Sequence, residues 1–107
     1  MDNQHRQIKG YRELDSQEIY LMNKVKSLGA ELDAALKEVK AFNDDRYQEA
    51  ERRSNSSDQT EEQVRIANDV LANHHYAEPN RWTAMARTQF QTGLMYLTRA
   101  VAKPEFL

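Results

Sequence analysis

The chain has no cysteine, only two prolines and three glycines, and few large apolar residues. Each shortage removes a class of protein. Without cysteine there is no disulfide framework, no thiolate metal site and no thiol nucleophile. Three glycines scattered at positions 10, 29 and 93 cannot form a phosphate-cradling loop. With so little proline and glycine, and no alternating β-branched run, the fold class is all-α.

Leu, Ile, Val and Phe together make up twenty of the 107 residues. That poverty often accompanies disorder, which also brings high net charge and no periodicity. Here the net charge is −2 and the apolar residues are strongly patterned. The composition therefore predicts one thin helical domain over 1–107 that completes its core by forming a homo-oligomer. No apolar run reaches membrane length and no secretory leader pattern is present, so the cytoplasm is the expected compartment.

The near-neutral net charge hides an asymmetry. Residues 41–62 carry seven acids against three bases, whereas residues 79–107 carry four bases against one acid. Localised phosphate-binding surface fits such a chain, and so do ordinary solvated helix faces. Non-specific DNA binding does not fit, because the net charge is negative and no helix carries a row of base-reading side chains.

The periodicity predicts a helical hairpin of long antiparallel helices behind a short N-terminal segment, 1–14. Asp15 with Glu18 three residues later reads as a capping box opening a helix over 15–53. Leu21, Val25, Leu28, Leu32, Leu36 and Val39 fall on one stripe of it. Ile19, Met22, Asn23 and Lys26 form a second, mixed face in its first turns. Residues 54–78 read as a loop, a short helix capped by Thr60 and Gln63, and a turn. A final helix over 79–103 carries Trp82, Ala86, Phe90, Gly93, Leu97 and Ala100 on one face. A glycine near the centre of that face costs helix stability unless it allows close packing against another helix.

Catalytic constellations are missing. His74 and His75 are neighbours, pointing about 100° apart on a helix, so they cannot share a metal as an i, i+4 pair does. They read as exposed turn residues. Asp44–Asp45 and Glu61–Glu62 are adjacent acids on solvated helix, not opposed carboxylates around a substrate. No enzyme activity, metal or cofactor is expected. What remains is a binding pattern in "HRQIKGYREL". Tyr11 offers a ring on which a base can stack, Arg12 and Lys26 offer cations for phosphate oxygens, and Asn23 offers an amide for a base edge or phosphate. The same residues suit a salt-bridged surface turn, and the residues alone leave both readings open.

Two blocks resemble a known family. "MDNQHRQIKGYREL" followed by "EIYLMNKVK", together with "RWTAMARTQFQTGLMYLTRAVAKPEF", is similar to the small anti-CBASS proteins of tailed phages, which sponge cyclic oligonucleotides. The C-terminal block is shared with phage sponges against Thoeris immunity, which bind a cyclic ADP-ribose signal. The resemblance spans about 1–42 and 77–107, with a middle, 43–76, that looks longer and more divergent. It implies a homohexamer that sequesters second messengers such as 3′,3′-cGAMP between protomers, without turnover, in the cytoplasm of the infected bacterial host. It also implies that Tyr11 stacks on a base and Lys26 meets phosphate. Arg81, which opens the shared C-terminal block, is the candidate for a separate cyclic-trinucleotide site. The alternatives are a Thoeris-type sponge and a helical protein–protein adaptor that binds no nucleotide.

Overall fold

A computed structural model describes residues 13–104 of the chain. They form three helices, α1 (Ser16–Ser54), α2 (Glu61–Ala77) and α3 (Pro79–Ala102), and no strand occurs among the described residues. The all-α class and the helical hairpin expected from the sequence are what the chain forms.

Local chemistry fixes the helix ends. At the start of α1 the Glu18 N–H donates to Asp15 Oδ1 at 2.8 Å, and the Asp15 N–H donates to Glu18 Oε1 at 3.1 Å. A capping residue of this kind is worth about 1 kcal/mol. Beyond Phe42, where the apolar pattern fades, side-chain pairs one turn apart support α1. Lys40 donates to Asp44 at 2.6 Å, and Glu49 accepts from Arg52 at 2.7 Å and from Arg53 at 2.8 Å. The two guanidiniums hold the Glu49 carboxyl at about 2, against an ordinary 4.5, and sit at the negative end of the helix dipole. The capping box of Thr60 and Gln63 starts α2. Glu78, left-handed at φ 48°, closes it by donating its N–H to the His74 carbonyl at 3.0 Å. Pro79 follows at once as the first residue of α3, a position where its missing N–H costs nothing.

The chain divides into two compact units, residues 1–33 with 88–107, and residues 34–87. In the first, α1 runs antiparallel to α3. Glu18 Oε2 lies 3.7 Å from Lys103 Nζ, and further along α1 Gly29 faces Leu94, whose Cδ1 would stand 3.2 Å from a Cβ at that glycine. The packed side of α1 here is Glu18, Met22, Val25, Gly29 and Leu32, while Leu21 and Leu28 of the expected stripe are exposed. Met22 thus belongs to the packed side and not to the second face. The apolar arc of α1 is wider than its contact, and glycine draws the line of closest approach.

The second unit contains the rest of α1, all of α2 and the start of α3. Ala50 and Ala67, the buried apolar residues among those described, are small enough for α1 and α2 to approach closely. The Tyr47 and His74 rings lie 4.6 Å apart, and Asn80 Nδ2 donates to Asp44 Oδ1 at 3.4 Å. His74 is therefore half-buried under a tyrosine ring, His75 is exposed, and both lie within α2 and not in the turn that the sequence suggested.

No large side chain is fully buried among the described residues, and Trp82, Met85, Met95 and Tyr96 of α3 are exposed. Gly93 also differs from its sequence reading. Apart from its own stretch of helix backbone, nothing among the described residues comes within 4 Å of a Cβ placed there, so the close helix approach among them falls at Gly29. No helix among the described residues is long and apolar enough to cross a membrane.

Candidate ligand-binding surface

Glu18 is the buried charged side chain among those described. Burial of a carboxylate is tolerated only with partners, and Glu18 has the Asp15 N–H and the Lys103 ammonium. Lys103 ends α3 in a left-handed conformation at φ 46°, its N–H bonded to the Arg99 carbonyl at 2.8 Å. One carboxylate therefore joins the cap of α1 to the end of α3 and fixes the point from which the chain before Asp15 departs.

One turn on, α1 presents Ile19, Asn23 and Lys26 outward at spacings of four and three, which places them side by side along the helix. All three are exposed, Ile19 at 50%. Lys26 has no carboxylate partner among the described residues. An ammonium without a carboxylate, beside a free-standing amide and an uncovered aliphatic side chain, can take an anion that also carries flat or apolar surface.

Two expected site residues, Tyr11 and Arg12, lie outside the described residues. Arg81 falls in the second unit, whereas Asn23 and Lys26 fall in the first. Its guanidinium donates to Glu78 Oε2 at 3.1 Å and sits 5.8 Å from the Trp82 ring, so local partners already hold it at the head of α3. Among the described residues, no group of three or more His, Asp or Glu side chains could hold a metal. The one carboxyl paired across helices in the second unit, Asp44, has its pKa lowered, chiefly by the Lys40 hydrogen bond, and stays a structural anion.

Sequence reasoning missed the packing of His74 on Tyr47 and the tight position at Gly29. The signal for the first was available, because His74 continues the Ala67, Val70 and Leu71 side of α2 at helical spacing.

Fold and surface together define a helical-hairpin domain with an exposed cation and amide along its first helix. The chain belongs to the Acb2/Tad1 hairpin-domain family, which matches residues 3–102. It is similar to Anti-CBASS protein 2 of Pseudomonas phage JBD67, at 44% identity over 108 residues that cover 98% of each chain. Both matches run through residues 43–76, and against this relative the middle segment is not longer.

Proposed function

We propose that this protein counters CBASS immunity as a non-catalytic sponge that binds and sequesters cyclic dinucleotide second messengers such as 3′,3′-cGAMP. Its place of action is the cytoplasm of the infected bacterial host. The observation that carries the reading is end-to-end similarity to a phage protein named for anti-CBASS action. The exposed Asn23 and Lys26 on α1 support it. In this reading Tyr11 stacks on a base, Arg12 and Lys26 meet phosphate, and Asn23 holds a base edge or phosphate. Arg81 serves a separate cyclic-trinucleotide site. The protein assembles as a homohexamer, and ligand is buried between copies. A sponge acts by mass action, so it must outbind the effector and be abundant enough to lower the free messenger.

The test is retention followed by recovery. The full chain is incubated with 3′,3′-cGAMP and filtered, and the retained fraction is released by heat. Intact dinucleotide in that fraction is the expected result. Dinucleotide left wholly in the filtrate overturns the function, and degraded product overturns the absence of turnover. A second reading, a Thoeris-type sponge, draws on the family itself, whose description joins two kinds of hairpin protein. It predicts retention of cyclic ADP-ribose in the same assay with the dinucleotide passing through.

A further inference from the structure

We propose that the groove between α1 and α2 is a second ligand site, for a flat heteroaromatic ring that carries a negative charge. Two cavities of about 410 Å³ each open there, within the second unit, and share Phe42, Arg46, Ile66 and Val70. Phe42 and Ile66 are half-exposed, so the floor is apolar and open. Asn23 and Lys26 belong to the first unit, and this site uses neither.

Three observations choose the ligand. The cavity at the α3 end combines the rings of Phe42 and Tyr47 with the amides of Asn43 and Asn73, the grouping that grips a planar ring by its faces and reads its edge. Arg46 places its guanidinium 5.3 Å from the Phe42 ring and has no carboxylate partner among the described residues. A cation held over an aromatic wall is placed to meet an anionic substituent of a stacked ring. His74 borders the same cavity, and its Nε2 is closed off from solvent without a hydrogen-bond partner. Buried polar atoms in this condition are rare, and a water or a polar group entering the cavity is one way to complete such an atom.

The ring-gripping groups, not charge, separate the two cavities. One is bordered by Arg46 and Arg53 with Asp45 and Glu49, the other by Arg46 with Asp69, so cations and carboxylates balance in each. Tyr47, Asn43 and Asn73 border the α3-end cavity and not the other, so the ring belongs there with its anion at Arg46.

The test follows the His74 ring signals by NMR in the full-length protein. One titrant is adenosine 5′-monophosphate. A second, indole-3-acetate, offers the same ring-plus-charge chemistry without a nucleotide, and adenosine is the uncharged control. An anionic probe is expected to shift the His74 signals saturably, with Kd below about 1 mM, and adenosine to bind about tenfold more weakly. Whichever anion binds identifies the charge as phosphate or carboxylate. Arg46→Ala, a change at an exposed position, should weaken the anion about tenfold or more, and Lys26→Ala should leave it unchanged. No saturable shift with either anion, or an unchanged affinity in Arg46→Ala, overturns the proposal. Loss of oligomeric mass in Arg46→Ala also overturns it, because the groove is then a contact between copies.

Discussion

At the scale of single residues, the proposed clamp rests on unequal parts. A charge-assisted hydrogen bond contributes about 1.5–3 kcal/mol and a stacked base about 1–3 kcal/mol. Lys26→Ala and Tyr11→Ala should therefore each weaken 3′,3′-cGAMP by roughly tenfold to a hundredfold. Lys26 is exposed and pairs with no described carboxylate, so its removal strips a binding group and leaves no buried partner unsatisfied. The melting temperature should hold while affinity falls. Calorimetric titration beside thermal unfolding checks this, and a wild-type affinity in both variants refutes the clamp. Glu18 is the opposite kind of residue. It is buried, it caps α1 and it faces Lys103, so its loss would act through stability as well as through the chain before Asp15.

At the scale of elements, Gly29 sets the helix pairing in the first unit. A Cβ at residue 29 meets the end of a flexible leucine at 3.2 Å, which can give by a few tenths of an ångström. Gly29→Ala should then stay within about 1 kcal/mol of wild type, because the helix propensity gained offsets the crowding. Gly29→Val adds two methyls against Leu94 and should cost about 1–3 kcal/mol. Urea unfolding of the two variants separates them, and equal stability would mean that the helices are not tightly apposed there. This packing was the least legible part of the fold. The caps at Asp15 and Thr60 and the start at Pro79 were readable because capping involves residues three apart in sequence. The packed side of α1 was not. Its apolar residues span an arc that includes the exposed Leu21 and Leu28, and only the partner's position selects Met22 and Gly29 from it. The candidate surface divides the same way. Asn23 and Lys26 stand side by side on α1 as their spacing put them, and Tyr11 lies outside the described residues.

At the scale of the whole molecule, the scarcity of buried apolar residues needs a consequence. A 107-residue chain whose described apolar burial is confined to Ala50 and Ala67 leaves Trp82, Met85 and Tyr96 exposed along α3, with Gly93 among them at helical spacing. That is the surface expected of a helix covered by another copy, and it accords with the proposed homohexamer. Gly93 offers a clean test because its own chain does not constrain it. Apart from its own stretch of helix backbone, no atom of a described residue lies within 4 Å of a Cβ there, and replacing glycine in a helix gains about 0.8–1 kcal/mol. In an isolated chain Gly93→Leu should therefore be neutral or stabilising. If copies meet across α3 at the glycine, the same change inserts a side chain into a close helix contact and breaks the assembly. Sedimentation velocity with circular dichroism should show full helicity with reduced mass, and retention of cyclic dinucleotide should fall with the mass if ligand is buried between copies. Unchanged mass would place the contact between copies elsewhere than at Gly93 on α3.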